Sequence, residues 1–351
     1  MKKSLHELDY MRLVMAATIL LAHCIVFGNS KVFGDATLYF NRWFACMVVP
    51  YFYSLTGFFI VFSNDISSSA KKMAIKLFKL YVIWSLLYFP IHVLNYISSN
   101  NKTVYVMNAI RQFVIGNFPL WFLWGGSIGI AVFFVLYNIT KANMKQMMRI
   151  AFIVFLFGSA YKYAILLNKG FVNIIKSFGV VGSFALTDDF VRNGVFFGFP
   201  FIALGMYIGE CYKKNSNPGL RETIVGLFLS LVFGLIEVKL AYAVSNYDYR
   251  ATANQLKIFL FPAIYYLTCL LLRMSEYTGA RNTYSIRKIA ALMFFLHWEI
   301  AVFVRVMLRY VNTSPYLLNL LWGIITLFLS VMGAKLIISY SKKYEWLKLL
   351  Y

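Results

Sequence analysis

Two ionisable residues lie inside an apolar stretch near the N-terminus. Arg12 and His23 are 11 positions apart, so a helix would place both side chains on one face, about 16 Å apart along its axis. Ionisable groups inside an apolar span are costly unless they face a cavity or a partner. The pair therefore indicates a polar groove with a cation at one mouth. The alternatives are an arginine that anchors a helix end at the membrane surface and a histidine that joins packed helices.

A second cationic feature follows the next apolar stretch. Lys72, Lys76 and Lys79 recur at i, i+4 and i+7, which places them on a single helical face. Clustered cations at a membrane surface suit a polyanionic ligand, so this face is a candidate phosphate-binding patch on the same side as Arg12. Basic residues that only fix the membrane topology explain the pattern equally well.

The composition indicates which kind of element must position these residues. Of the 351 residues, 61% are hydrophobic and only 13% are charged, about half the charged share of an ordinary soluble domain. So few charges cannot keep a surface of this size in water, which excludes a soluble globular protein. The 34 Lys and Arg residues are spread between apolar runs, which indicates topology signals and contacts with the lipid bilayer, and argues against nucleic acid. The four cysteines form no C-x-x-C pair, so we expect neither a metal site nor a disulfide framework.

Apolar stretches long enough to cross about 30 Å of hydrocarbon occur ten times. Unpaired backbone groups are too costly in lipid and no stretch alternates like a barrel strand, so we predict an all-α, polytopic protein of about ten transmembrane helices, organised as one domain over residues 1–351. Because Arg12 and His23 interrupt the first span, we do not expect it to be a cleaved signal peptide. The predicted spans are residues 11–29, 43–63, 76–97, 118–139, 149–167, 193–212, 221–244, 256–274, 288–310 and 316–340.

The basic residues also predict an orientation. More than half of the 34 Lys and Arg residues fall in segments that are cytoplasmic if both termini are cytoplasmic, and the outer segments are poorer in them. Among these inner residues are Lys2, Lys3, Lys141 and Arg281. We therefore expect a multi-pass protein of the cell membrane with cytoplasmic N and C termini.

Six sequence elements together resemble a known family, the bacterial integral-membrane acyltransferase family 3. They occur in the family's order and extend from about residue 9 to residue 340. Departures from the family pattern are Thr56 where serine is usual, and Lys76 and Lys79 where arginines are common. The elements are the R-x10-H stretch LDYMRLVMAATILLAHC, then VPYFYSLTGFFIVF, KKMAIKLFKLYVIW, LWFLWG, VRNGVFFGFPFIALGMYIG and MFFLHW.

The resemblance implies an O-acyltransferase. Members of this family transfer an acyl group, usually acetyl, from cytoplasmic acyl-CoA to a hydroxyl of an extracytoplasmic glycan, such as a cell-envelope polysaccharide or a lipid-linked sugar. On this interpretation Arg12, Lys72, Lys76 and Lys79 bind the phosphates of acetyl-CoA or another acyl-CoA. His23 acts as a general base on the acceptor hydroxyl or carries the acyl group itself, two roles that the sequence does not separate. No metal is implied.

Two further positions are candidates for catalysis on the same resemblance. Arg192 is expected at the outer mouth of its helix, where it would contact the acceptor or an oxyanion, although an ion pair with Asp188 or Asp189 explains it as well. Either His297 or Glu299, two residues further on, would orient the base or form a proton path. A buried polar pair that joins two helices is the alternative for these residues.

A transporter for a small polar solute such as an amino acid is the second interpretation. Some relatives in the family form the membrane half of serine racemases and are linked to substrate uptake, and polar residues along a path through ten helices suit a carrier as well. The inverted repeat with paired broken helices that would favour a transporter is not evident in the sequence. A purely structural or receptor-like protein would leave the buried Arg12 and His23 without a role.

Overall fold

The computed structural model describes residues 5–26, 34–116, 119–140, 143–248, 256–278 and 282–351, without the side chains of Ile91, Leu94, Asn95 and Val104. It is 84% helical, and the described residues contain no strand. The all-α prediction is therefore confirmed. Lys2, Lys3, Lys141 and Arg281, which supported the predicted orientation, lie outside the described residues.

The α-helices of the described residues vary from short turns to full spans. Two π-helical turns, Phe40–Phe44 and Gly194–Gly198, lead into longer helices. In chain order the helices are α1 (His6–His23), α2 (Asp35–Tyr39), α3 (Val48–Ile60), α4 (Ile66–Leu87), α5 (Phe89–Ile97), α6 (Lys102–Ile115), α7 (Trp121–Thr140), α8 (Met144–Leu167), α9 (Lys169–Lys176), α10 (Gly179–Ala185), α11 (Asp188–Val191), α12 (Phe199–Lys213), α13 (Leu220–Val244), α14 (Leu260–Tyr277), α15 (Tyr284–Met307) and α16 (Pro315–Tyr340).

Seven continuous helical segments of the described residues are long and apolar enough to span a membrane. The predicted count of about ten is not confirmed. Two of the other predicted spans fall on helices whose charges reduce their apolar character: α1 holds Glu7, Asp9 and Arg12, and α14 ends in Arg273 and Glu276. The seven segments are Asp35–Ile60, Trp121–Thr140, Met144–Leu167, Gly194–Lys213, Leu220–Val244, Tyr284–Tyr310 and Pro315–Tyr340.

The predicted span 76–97 differs most from the structure. Helix α4 begins at Ile66 and ends at Leu87, and a separate short helix, α5, follows at Phe89. Pro90 explains the break, because proline lacks the N–H that a continuing helix needs and its ring clashes with the carbonyl four residues earlier. The proline is accommodated in the first turn of α5. Residues 168–192, which lie between two of the predicted spans, fold into the short helices α9, α10 and α11.

Contacts divide the chain into two compact units. The first contains residues 1–48, 79–120 and 271–351, and the second contains residues 49–78 and 121–270. The single domain predicted over residues 1–351 stays a prediction.

In the first unit, α1 packs against α15 and α16. Leu20, Cys24, Ala301, Val304 and Trp322 form a buried apolar cluster between them. The indole N–H of Trp322 donates to the Ala301 carbonyl oxygen at 2.7 Å. Burial of this apolar face, rather than helix propensity, fixes α1 along α15.

In the second unit, α3 and α12 approach each other at backbone distance. A Cβ atom placed on Gly205 would lie 1.8 Å from the Ser54 carbonyl oxygen, and one on Gly57 would lie 2.0 Å from that of Ile202. Only glycine fits at these two positions. Small residues at helix crossings allow this close packing where the hydrophobic effect cannot drive it in lipid.

A carboxylate in the same unit caps a helix. Glu237 of α13 accepts the backbone N–H groups of Ile258, at 2.7 Å, and of Phe259, at 3.2 Å, and the Tyr163 hydroxyl also donates to it. The two amides immediately precede α14, where helix N–H groups have no partner within the helix. Glu237 therefore stabilises the start of α14.

Candidate active site

Helix α1 presents one buried stripe to the interior of the first unit. Asp9, Ala16 and Leu20 are buried, and Arg12 lies in the same stripe with 12% of its side chain exposed. His23 is the last residue of the helix and is partly buried. Arg12 and His23 therefore stand about three turns apart on one helix, in the part of its surface that faces protein.

His23 contacts His297 of α15. Nδ1 of His23 lies 2.9 Å from Nε2 of His297, and the two rings stack with centroids 5.1 Å apart and planes 21° from parallel. His297 is fully buried. Its other nitrogen, Nδ1, lies 2.8 Å from the Phe294 carbonyl oxygen. The structure thus brings together two of the residues that the sequence proposed for catalysis.

The hydrogen bonds assign the protons of this pair. A carbonyl oxygen only accepts, so Nδ1 of His297 carries a proton, and Nε2 of the neutral ring is an acceptor. Nδ1 of His23 must then be the donor to His297. The basic lone pair of a neutral His23 lies on Nε2, on the opposite side of its ring. This tautomer is the one that a base or a nucleophile at Nε2 requires.

Aromatic side chains fix the turn of α15 that carries His297. Trp298 packs edge-on against His23, with centroids 5.8 Å apart and an interplanar angle of 80°. The Tyr88 hydroxyl donates to the Phe295 carbonyl oxygen at 2.5 Å, and Trp84 stacks on the Phe295 ring at 5.3 Å. An apolar setting of this kind strengthens a hydrogen bond between imidazoles by lowering the local dielectric constant.

Ionic contacts join the same two helices at their N-terminal ends. Asp9, only 1% exposed, accepts from Arg12 Nη1 at 2.6 Å and from Arg287 Nε at 3.1 Å on Oδ1. On Oδ2 it accepts from Arg287 Nη2 at 3.0 Å and from the Thr283 hydroxyl at 2.7 Å. We refer to Asp9, Arg12, Thr283 and Arg287 as the Asp9 cluster.

The two cross-links define the direction of the helix pair. Asp9 contacts Arg287 near the start of α1 and α15, and His23 contacts His297 further along both, so the helices run parallel. His23 follows Arg12 by 11 residues and His297 follows Arg287 by 10, which corresponds to about 15 to 16 Å along either axis. The helix pair therefore presents guanidinium groups at one end and the imidazole pair at the other.

The lysines proposed for donor binding lie on α4 and are exposed. Lys79 belongs to the first unit, whereas Lys72 and Lys76 belong to the second. Their role in donor binding stays a prediction.

Arg192, the third residue proposed for catalysis, lies in the second unit. It forms an ion pair with Asp189 at 2.7 Å, and its guanidinium lies 4.6 Å from the centroid of the Trp121 ring. Asp188 pairs instead with Lys162, at 2.6 Å. The ion pair considered for Arg192 is therefore present, and its contact with an acceptor stays a prediction. In the described part of the chain, no group of three or more His, Cys, Asp or Glu residues could hold a metal ion.

Arg287 is a residue that the sequence analysis missed as a functional candidate. As a basic residue of a predicted inner segment, it supported only the predicted orientation. A signal was available, because Arg287 precedes His297 by almost the same spacing with which Arg12 precedes His23.

These features define an all-α, multi-pass membrane protein with a histidine pair between two parallel helices. The chain belongs to the integral-membrane acyltransferase family 3, because the family model described as "Acyltransferase domain" matches residues 5–341. The family recognised from the six sequence elements is thereby confirmed.

Curated relatives extend well beyond the matched region. One, named "Amino-acid racemase", from Enterococcus faecalis, is 29% identical over 290 residues, which cover 80% of this chain and 37% of the relative. Another protein with the same name and organism is 24% identical over 237 residues, which cover 65% of this chain and 32% of the relative. The chain thus matches about a third of the length of these relatives. No solved structure matches it significantly.

Proposed function

We propose that this membrane acyltransferase transfers an acyl group, most simply acetyl, from acyl-CoA on the cytoplasmic side to a hydroxyl of an extracytoplasmic glycan or lipid-linked sugar. The observation that carries the proposal is the hydrogen bond between His23 and His297 at one end of the α1–α15 pair, with the Asp9 cluster at the other. Coenzyme A has a polyphosphate head and a long pantetheine arm that suit cations and a reactive centre about 15 Å apart.

The tautomer of the pair supports His23 as a general base. Nε2 of His23 would remove the proton of the acceptor hydroxyl while its oxygen attacks the thioester carbonyl. The new C–O bond forms, the C–S bond breaks, and the His23 imidazolium returns its proton to the leaving thiolate. His297 would hold the ring of His23 in place and stabilise the charge that develops on it.

An acyl-histidine route uses the same geometry. Nε2 of His23 would attack the thioester carbonyl, so that an N–C bond forms while the C–S bond breaks and coenzyme A leaves as the thiolate. The acceptor hydroxyl oxygen would then attack the acyl carbon, the N–C bond would break, and the hydroxyl proton would pass to the thiolate. Under either route His23 contacts the reacting atoms and His297 acts through it.

The remaining candidates have supporting roles in this proposal. Lys72, Lys76 and Lys79 form an exposed basic face that would attract the anionic donor to the membrane surface. Arg192 would contact the glycan acceptor or an oxyanion while its ion pair with Asp189 fixes its guanidinium.

The two relatives are named for a reaction of amino acids, and amino-acid transport, the second interpretation of the sequence, is the alternative to test. Membranes that contain the protein would be given acetyl-CoA labelled in the acetyl group, and sealed vesicles would be given labelled serine and alanine. The acyltransferase proposal expects label in the glycan or lipid-linked sugar fraction, and no amino-acid uptake above that of vesicles without the protein. Uptake without acetyl transfer would favour the transporter.

A histidine substitution tests the proposed centre. His23→Gln should abolish acetyl transfer, while His92→Gln serves as the matched control, because His92 also lies in the first unit and bonds to Tyr105 instead. Normal turnover by correctly inserted His23→Gln protein would exclude both routes.

A further inference from the structure

We infer that Arg287 is a second donor-binding residue, which together with Arg12 forms a two-guanidinium site for the phosphates of coenzyme A, oriented by Asp9. This inference deepens the proposed function and rests on it for the identity of the ligand. It begins from the Asp9 cluster, where two arginines from different helices share one buried carboxylate.

The carboxylate holds both guanidinium planes. Asp9 accepts four hydrogen bonds, two on each oxygen, which is about the full capacity of a carboxylate. Three of these hydrogen bonds come from the two guanidiniums and orient their planes. Guanidiniums fixed in this way lose less conformational entropy when they bind an anion.

The charges of the cluster favour an anion. A purely structural ion pair between α1 and α15 would need only one arginine on Asp9. The cluster contains two arginines and one carboxylate, so its net charge is +1. Asp9 is 1% exposed, whereas 46% of the Arg287 side chain is exposed, so the cluster is open on the side of Arg287. Arginine matches phosphate oxygens in a bidentate geometry, which makes phosphate the preferred ligand.

The position of Arg287 relates this site to the proposed chemistry. Arg12 and Arg287 lie in the N-terminal halves of the same two helices that carry His23 and His297, and an α-helix keeps a constant rise per residue over three turns. The distance between the phosphate end and the imidazole end is therefore set by the helix pair itself. A donor whose phosphates contact both arginines would therefore place its thioester at a fixed distance along the helix pair, near the imidazoles.

Binding of unacylated coenzyme A to the purified protein in neutral detergent, measured by calorimetry, tests the inference. Arg287→Gln should weaken binding by at least about tenfold, the effect of losing one charge-assisted hydrogen-bond pair. Arg287→Lys keeps the charge beside Asp9 and should also weaken binding, because an ammonium group lacks the bidentate fork. Arg221→Gln removes an exposed arginine of the second unit and should bind like the wild type.

Several results would overturn the inference. Wild-type affinity in folded Arg287→Gln or Arg287→Lys protein would do so, even if the melting temperature falls, because that pattern marks a purely structural brace. Failure of the wild type to bind coenzyme A would also overturn it. Phosphate groups occur on lipids too, so the titration is repeated with excess phosphatidylglycerol, and displacement of coenzyme A by this lipid would assign the site to a headgroup.

The binding measurement is separate from catalysis. Coenzyme A binding that depends on Arg287, in a protein that transfers no acetyl group, would support the inference and contradict the proposed function. Normal transfer with an affinity that does not depend on Arg287 would contradict the inference alone.

Discussion

Replacement of His297 should slow transfer by removing the group that orients His23. In His297→Leu, Nδ1 of His23 loses the acceptor that lies 2.9 Å away. Once His23 has taken a proton, this hydrogen bond has a charged donor, and such bonds contribute about 1.5 to 3 kcal/mol. At 1.36 kcal/mol for each tenfold change in rate, kcat should fall by about 10- to 150-fold. KM for acetyl-CoA should change little, because the Asp9 cluster lies about 15 Å away.

His297→Gln is the matched variant for this prediction. Its amide oxygen can occupy the region of Nε2 and accept the proton of His23, so we expect most of the wild-type kcat. The assay is steady-state transfer from labelled acetyl-CoA, with the melting temperature as a control for folding. The role of His297 in orienting His23 would be refuted if folded His297→Leu had the kcat of the wild type, or if only its KM rose.

Three further predictions concern the described contacts. Gly205→Leu should prevent folding, since its Cβ would overlap a carbonyl oxygen, whereas Gly219→Ala meets no atom within 4 Å and should express normally. Glu237→Gln should lower the free energy of unfolding by about 1 to 3 kcal/mol through the weakened cap of α14, measured as a fall in melting temperature. Glu276→Gln is the control that should not destabilise, because Glu276 is exposed near the C-terminal end of α14. Asp9→Asn should raise KM for acetyl-CoA and leave kcat nearly unchanged; an unchanged KM would contradict the orienting role of Asp9.

The sequence was sufficient for the helical class and for the family. Few charges and long apolar runs leave an α-helical membrane protein as the physical solution, and the spacing of Arg12 and His23 follows from helical periodicity alone. The bounds of the spans were harder to predict from the sequence. Hydropathy did not separate α4 from α5, because the break at Pro90 is local and both sides of it are apolar.

The partners of the buried residues depend on tertiary contacts. His23 and His297 are 274 residues apart in the chain, and no local sequence pattern predicts that their side chains contact each other. The same holds for Asp9 and Arg287, separated by 278 residues. The capping role of Glu237 is of the same kind, since the first amide that it accepts lies 21 residues further along the chain.

The most direct measurement is the turnover of His23→Gln protein at saturating acetyl-CoA, made on a preparation whose coenzyme A affinity equals that of the wild type. Loss of a general base or nucleophile should reduce turnover by at least about 100-fold while donor binding remains. Turnover close to that of the wild type would contradict the assignment of His23 as the group that acts on the acyl donor and its acceptor.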